Sequence, residues 1–395
     1  MSELKVNSIK GVAASNAAIT INNTDGTCTA NITNNLSNRN LIINGAMQVA
    51  QRGTSSSSTN GIGCVDRFHN IRAGHDEEPT QAQHALTSSD TGPYEEGFRF
   101  SYHVTNGNQS SGAGAGDYMS MRYKIENQDI ANSGWNYTSA SSFITFSFWV
   151  KSSVAQNFYG YLKSTDGTDQ RYAYETGSLT ANTWTKITKT IPGNSNLQFD
   201  NNAQQGLEIY LSQFWGTNYT DSGVSLNTWS NWSSGSRTPD YTSTWYTTNN
   251  ATFQITGVQL EVGSVATDFE FRSFGQELDL CKRYFQILVR GSDGLNGYSF
   301  MGVAAAYSSV QGEVPMRWEK EMRGSPSLEV SNGTNYFTFT QTGSNAVNLS
   351  TFVAYGLNRS NGLLYQAGLS GLTTGKAYRA QTNNNSAYIY INAEL

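Results

Sequence analysis

Apolar and polar residues alternate with a period of two along much of the first two thirds of the chain. In one such segment the alternation places Phe146, Phe148 and Val150 on the same face, as expected for a strand with one buried side. The pair Asp166-Gly167, between two further segments, is typical of a hairpin turn. We predict strands at Phe98–Val104, Tyr118–Ile125, Phe143–Val150, Phe158–Lys163, Arg171–Glu175, Trp184–Ile191, Leu207–Phe214 and Thr252–Val262. Strands of this number and spacing predict an all-β protein with a central two-sheet jelly roll.

The N-terminal region is predicted to be an attachment arm and linker over residues 1–63, and its first part, residues 1–40, is polar and has only short alternating segments such as Ala18–Ile21. It has too few apolar residues to form a core, so we predict an arm of short strands and turns held by a partner. Leu41–Gly45 ends a strand at a turn, and Gln51–Gly63, with serine at Ser55–Ser58, has the composition of a linker. The predicted jelly roll then occupies residues 64–273.

A helical pattern follows the predicted jelly roll. Leu278, Cys281 and Phe285 lie at helical spacing within Phe274–Gln286. Cationic residues stand near the end of this segment, where the helix dipole stabilises positive charge. We therefore predict a short connector helix within residues 274–290. Because alternation returns after it, residues 291–395 are predicted to form a C-terminal β domain.

The C-terminal domain has an unusually uncharged sequence. A free domain surface normally carries many more charges, and uncharged strand edges pair readily with other chains. We therefore predict that this domain is covered by other copies of the chain in a homo-oligomer. From residue 331 to 395 the charged residues are Arg359, Lys376, Arg379 and Glu394.

Composition excludes several classes of function. Charged residues make up 14% of the chain and the net charge is −5, whereas soluble domains carry about 25% charged residues. No run of Lys and Arg exceeds two residues, so nucleic-acid binding is not predicted. No stretch approaches the roughly 18 apolar residues of a membrane span, so no membrane insertion is expected. The first residues, MSELKVNSIKG, lack the apolar centre of a signal peptide.

An aromatic segment at 216–250 is the strongest candidate for a binding site. Six rings stand there among Ser, Thr and Asn, and sugars are bound by rings that stack on C–H faces together with polar groups that meet hydroxyls. The alternative is that these rings form a small core of the loop, cap the jelly roll or lie in a subunit contact. The candidate glycan-binding residues are Trp229, Trp232, Trp245, Tyr219, Tyr241 and Tyr246.

A second candidate lies near the C-terminus. In Tyr388-Ile389-Tyr390-Ile391 one face holds both tyrosines and the other both isoleucines. We expect the isoleucines to point inward. The tyrosine face is then either a subunit interface or free to bind a ligand.

Metal and catalytic sites find little support in the sequence. The four histidines, His69, His75, His84 and His103, do not have a spacing that places two rings on one face, so no metal site is predicted. The three cysteines, Cys28, Cys64 and Cys281, are far apart and are interpreted as reduced thiols. No acid pair stands out in the aromatic segment, where the carboxylates are Asp221 and Asp240, and we predict no enzymatic activity.

Three groups of segments look familiar. The first is Leu41–Met47, Gln51–Thr54 and Asp66–Phe68, the second is Ile255–Gly263, Ala266–Arg272 and Glu277–Phe285, and the third, weaker one is Val314–Met316, Met322–Pro326 and Ala393–Leu395. The first group resembles the beginning of many bacteriophage tail fibres and receptor-binding proteins, and the second resembles the last strand of their carbohydrate-module-like jelly roll and the helix after it. The opening Leu4–Ile9 looks like the start of fibre proteins of marine phages.

The resemblance implies a virion protein of the phage tail, made in the host cytoplasm and assembled as a homotrimer. Its N-terminus would dock on a tail adaptor or nozzle protein, and it would bind host surface polysaccharide during adsorption. It implies no cofactor, although jelly-roll modules of this type often carry a structural Ca²⁺. Two alternatives stay open: a capsid or tail decoration protein that binds only virion proteins, and a tailspike that degrades polysaccharide.

Overall fold

The protein is all-β, with several sheets and only short helices. It is described here by a computed structural model. Much of residues 1–37 of the predicted docking arm, including half of Leu4–Ile9, lies outside the described residues. The described residues are 6, 8–9, 19–21, 24, 28–30, 38–55, 57–341 and 346–395.

Within the arm, three short strands form an antiparallel sheet in the order β1-β2-β3. They are β1 (Ser8–Ile9), β2 (Ile19–Ile21) and β3 (Cys28–Ala30).

The jelly roll contains all eight predicted strands, with bounds that differ by a few residues, and three more that the sequence did not reveal. Two short helices, α1 (Asn127–Ala131) and α2 (Thr244–Thr247), lie in its connections. Its strands are β4 (His69–Ala73), β5 (Thr80–Ala85), β6 (Phe100–Thr105), β7 (Tyr118–Glu126), β8 (Phe143–Ser152), β9 (Asn157–Ser164), β10 (Gln170–Ser178), β11 (Thr185–Pro192), β12 (Gln205–Trp215), β13 (Trp229–Asn231) and β14 (Thr252–Val262).

These strands form two facing antiparallel sheets. One has the order β13-β10-β9-β12-β7-β4 and the other β11-β8-β14-β6-β5. The apolar sides of both sheets meet in one core, and Phe146, Phe148 and Val150 are buried there as the alternation predicted. The predicted hairpin is confirmed, because β9 and β10 pair across a turn in which Gly167 has a φ of 63°.

The predicted linker at 51–63 is wrong, because this segment packs against the jelly roll. Ser57 exchanges backbone hydrogen bonds with Gln81, and Gly61 does so with Asn70. Just before it, the side chains of Ile42 and Met47 belong to the jelly-roll core. Backbone pairing and buried apolar side chains thus hold a segment whose composition is typical of a flexible chain.

The predicted first residue of the connector helix, Phe274, is confirmed, whereas the predicted end is wrong. The helix α3 (Phe274–Cys281) begins with a capping box in which Ser273 and Gln276 exchange hydrogen bonds. The chain then leaves the helix, and Arg283 and Tyr284 both donate hydrogen bonds to the buried carboxylate of Glu126 on the jelly roll. Phe285, predicted as helical, begins a strand of the next domain.

The C-terminal domain has its own core, formed between two antiparallel sheets. Their orders are β15-β24-β18 and β20-β19-β23-β16-β17-β22-β21. The strands are β15 (Phe285–Arg290), β16 (Phe300–Ser308), β17 (Gln311–Arg317), β18 (Ser327–Val330), β19 (Phe337–Thr340), β20 (Val347–Leu349), β21 (Val353–Tyr355), β22 (Asn361–Gln366), β23 (Ala377–Thr382) and β24 (Tyr388–Asn392), with a 3₁₀ turn at Gly291–Asp293.

The outer face of the seven-stranded sheet exposes several large apolar side chains next to charged ones such as Arg379, and we call it the bare face. Val303 and Tyr307 on β16 alternate with the buried residues Ala304 and Ala306, so they point away from the core. Tyr355 on β21 is 70% exposed. Large exposed apolar patches of this kind mark contact surfaces in soluble proteins.

Candidate functional site

The aromatic segment lies across the outer face of the six-stranded sheet. The segment begins at the end of β12. The Asn227 backbone N–H donates a hydrogen bond to the Ala173 carbonyl, and β13 pairs with the edge of β10. The return leg pairs at Thr220 and Thr238. A small apolar cluster separate from the main core forms beneath it, around Tyr210 and other buried rings. The loop thus packs on rings of the sheet's outer face, and three of its rings, Trp229, Trp245 and Tyr246, enter the main core.

Trp245 and Tyr246 are core residues, which corrects their assignment as sugar-stacking rings. Helix α2 turns both side chains inward, and neither is accessible to solvent. The Trp245 indole N–H donates to the Thr252 carbonyl at 3.1 Å, and the Tyr246 ring stacks on Phe214. A ring enclosed in this way has no free face for an external sugar.

Trp229 and Tyr241 are also held by the fold. The Trp229 indole N–H donates to the Pro192 carbonyl at 2.7 Å, and its ring packs near Tyr172 in the main core. The Tyr241 hydroxyl donates to the Tyr159 carbonyl at 2.7 Å, and burial is the main cause that raises the pKa of this phenol. Both rings therefore anchor the loop, and Trp229 is too buried to be a stacking platform.

Tyr219 and Trp232 remain partly exposed, and the structure brings them together with cations. The Arg237 guanidinium lies 4.6 Å from the Tyr219 ring centre and 6.0 Å from that of Trp232. The Lys163 ammonium lies 4.2 Å from the Trp232 ring centre. We call Lys163, Arg171, Tyr219, Trp232 and Arg237 the rim cluster.

Arg171 gives the rim cluster a buried charge that is incompletely satisfied. Its Nη2 donates to the Ser230 hydroxyl at 2.6 Å, but its Nε and Nη1 have no hydrogen-bond partner, although the residue is only 5% exposed. The indole N–H of Trp232 also lacks a partner. Burial lowers the pKa of Arg171, yet a guanidinium stays protonated at neutral pH. Unsatisfied buried donors are costly, so the cluster is suited to a ligand that supplies acceptors.

Negative charge near the rim cluster is unevenly placed. Lys163 is 2.8 Å from the Asp169 carboxylate and 4.0 Å from that of Glu208. Among the residues that the structure describes, no carboxylate is within ion-pair distance of Arg171 or Arg237. The cluster thus combines aromatic surface with two guanidinium groups that lack an anionic partner. Sequence reasoning found its two rings but missed the three cations, which come from other strands and from the loop's return leg.

The described parts of the chain hold no group of three or more His, Cys, Asp and Glu side chains arranged for a metal ion. Cys64 and Cys281 are free and buried, and burial raises the pKa of the Cys64 thiol to about 12. Within the described ranges, no helix has both the length and the apolarity to span a membrane.

Comparison with known proteins returned solved structures only. No family model and no curated protein matches the chain. It is similar to the enzymatically active domain of tailspike protein 4 of bacteriophage CBA120, with 11% identity and a TM-score of 0.31 over 57% of this chain. The chain spans 21% of that domain's length.

Two further solved structures match this chain over nearly their full length. A putative sugar binding protein from Bacteroides thetaiotaomicron has 10% identity and a TM-score of 0.29, covering 57% of this chain and all of that one. A tandem CBM22 domain from Paenibacillus barcinonensis Xyn10C has 11% identity and a TM-score of 0.25, covering 88% of this chain and 94% of that one. Because identities and TM-scores are this low, function is inferred below from the residues of this chain.

Proposed function

We propose that this protein binds polysaccharide through the rim cluster, and that the sugars it binds carry carboxylates. The observation behind the proposal is Arg171, a buried guanidinium with two unsatisfied donor nitrogens. It pairs in the sheet register with Lys163, whose ammonium lies over the ring of Trp232. A sugar carboxylate offers two acceptor oxygens to such a fork, and the pyranose ring has an apolar face for an aromatic ring.

The proposal continues with the biological setting. The protein acts in the virion as a tail fibre that adsorbs to the host surface, with its N-terminal arm docked on a tail adaptor or nozzle protein. The segment similarities to tail fibres support this role. A single sugar contact is weak, but linked copies raise the overall affinity by about 10²- to 10⁴-fold, which suits adsorption.

Assembly as a homotrimer is part of the same proposal. The bare face supports it, because Val303, Tyr307 and Tyr355 expose more than half of their side chains on one sheet surface. Partner copies would remove that apolar surface from water. The same surface also fits the second candidate function, a decoration protein whose bare face contacts a different virion protein.

The test measures binding of purified wild-type protein to polygalacturonate, with dextran as the uncharged comparison. Calorimetric titration should detect the acidic polymer with an affinity that falls as salt is raised, because charges are in contact, whereas any binding of dextran should depend neither on salt nor on Arg171. Arg171→Gln should weaken binding about tenfold or more, since one charged hydrogen bond contributes about 1.5–3 kcal/mol.

The matched control is Arg359→Gln, which removes an exposed arginine of the C-terminal domain that pairs with Glu321. Its affinity should equal that of the wild type. Equal binding of dextran and polygalacturonate, or unchanged binding by Arg171→Gln, would contradict the proposal. We further propose binding without cleavage, so new reducing ends after incubation with the polymer would favour a tailspike enzyme.

A further inference from the structure

A cleft of about 660 Å³ lies between the jelly roll and the C-terminal domain. Its jelly-roll side is formed by residues within 52–55 and 57–63 together with His69, and its other side is formed by β24, Glu329 and Glu394. Its volume falls within the range of small-molecule sites, about 300–1,000 Å³. Residues of two domains converge on it, which is a frequent location of ligand sites.

Two tyrosines provide an aromatic platform in this cleft. Tyr388 and Tyr390 are stacked, with ring centres 4.5 Å apart and planes inclined by 16°. They lie on the face of β24 opposite the fully buried Ile389 and Ile391, as the sequence predicted. Both rings remain partly exposed, and Arg290 donates a hydrogen bond to the Tyr390 hydroxyl at 2.7 Å. The platform is thus fixed on one side and accessible on the other.

Buried polar atoms without partners also line the cleft. His69 is 8% exposed, and its Nε2 has no hydrogen-bond partner. The carboxylate of Glu394, whose side chain is 9% exposed, leaves Oε1 unsatisfied, 3.6 Å from Arg52 Nη1. Such groups are normally satisfied by protein, water or ligand. Their presence at a cavity is an observation independent of the tyrosine platform.

The charges around the cleft define the kind of ligand. Glu394 is paired with Arg67 and Arg52, and Glu329 and Arg290 add one charge of each sign beside the tyrosines. His69 is neutral at pH 7, because burial, followed by the cations Arg122 and Arg67, holds its pKa well below the usual value. The cleft therefore has no unpaired excess of negative charge, and its carboxylate oxygens offer acceptors to hydroxyl groups.

We propose that the interdomain cleft is a second carbohydrate site, which binds a neutral pyranose on the Tyr388 ring, while Tyr390, itself packed against Phe285 and Arg290, supports that ring from its other face. The hydroxyls of the pyranose donate to the carboxylates of Glu329 and Glu394 and meet the free nitrogen of His69. The site is separate from the rim cluster and takes the opposite class of sugar, uncharged rather than acidic.

The experiment is saturation-transfer NMR on the full chain with methyl glycosides of glucose, galactose, mannose and N-acetylglucosamine as probes. At least one should receive saturation from the wild-type protein. Tyr388→Ala should weaken that binding about tenfold, because one stacked ring contributes about 0.5–1.5 kcal/mol beyond buried area. Tyr388→Phe should retain it, and Glu329→Gln should weaken it without removing a ring.

Two controls separate this site from other effects. Tyr355→Ala removes an exposed tyrosine of the other sheet and should bind like the wild type. Arg171→Gln should retain the neutral sugar even where it loses polygalacturonate, so each proposal can fail alone. No transfer to any of the four glycosides, or transfer unaffected by both Tyr388→Ala and Glu329→Gln, would overturn the assignment.

Discussion

Arg67 and Glu394, 327 residues apart in sequence, form an ion pair at the junction of the two domains. The Arg67 guanidinium also lies 3.4 Å from the centre of the Tyr284 ring and donates to the Lys124 carbonyl. Burial lowers the pKa of Arg67, but Glu394 and the neighbouring phenols more than offset this, so the net pKa is raised. Four separate parts of the chain therefore meet at one arginine.

Arg67→Ala should destabilise the protein by about 3–5 kcal/mol, because it leaves the buried Glu394 carboxylate with only the more distant Arg52. Urea unfolding of the purified protein measures this loss. Arg359→Ala is the control: its pair with Glu321 is exposed on both sides, so it should cost no more than about 1 kcal/mol. Equal losses of unfolding free energy in the two variants would mean that the buried Arg67–Glu394 pair stabilises the protein no more than an exposed ion pair.

Trp245→Ala should lower stability by about 3–5 kcal/mol, since it empties a fully enclosed site in the jelly-roll core. Trp232→Ala removes a partly exposed ring of the same type from the rim cluster and should cost clearly less. Thermal unfolding compares the two variants directly. Similar losses would show that Trp232 is as firmly part of the core as Trp245.

The stability of the fold should decline in mild acid. Burial, followed by the proximity of His84 and Lys151, lowers the pKa of His103 to about 4 in the folded protein. In the unfolded chain this imidazole has its ordinary pKa of 6.5, so the unfolded chain takes up a proton first. The contribution of this neutral ring is complete above pH 6.5 and is lost as the pH falls towards 4, at up to about 1.4 kcal/mol per pH unit.

His103→Gln should therefore flatten the stability profile between pH 6.5 and 4. The slope should shrink and not vanish, because burial also lowers the pKa of His69. Urea midpoints at several pH values give the profile. A variant as acid-sensitive as the wild type would rule out this role for His103.

Tyr307→Lys should dissociate the homo-oligomer into folded monomers. The residue is 69% exposed at the bare face, so a lysine there does not disturb the core, but its charge would have to be buried in a subunit contact. Light scattering coupled to gel filtration measures the mass of both forms. A wild-type protein that is monomeric at micromolar concentration would contradict the prediction.

The alternation of apolar and polar residues in the sequence predicted the jelly-roll strands whose buried side is apolar. It missed strands such as β4 and β5, whose buried side includes polar residues. β4 and β5 bury Asn70 and Gln81, which look like solvent-facing positions in the sequence. Gln81 is accommodated because its side-chain amide donates to the Thr59 and Gly61 carbonyls. Such compensation depends on distant backbone, so a local pattern cannot show it.

The candidate site was predictable only as a region. Whether a loop tryptophan is core or surface depends on which carbonyl its indole N–H meets, as for Trp245 with Thr252 and Trp229 with Pro192. The end of helix α3 has a similar cause, since the partner of Arg283 is Glu126, 157 residues earlier. Contacts over such separations exist only after folding.

The junction around Arg67 has a consequence for the way the molecule comes apart. Because Arg67 and Glu126 of the jelly roll are bonded to Glu394 and Arg283 beyond it, neither domain can open without exposing buried charges of the other. We expect both halves to melt in a single calorimetric transition. A force applied to the C-terminal domain would accordingly be transmitted to the jelly roll through these buried ion pairs and not through a flexible linker.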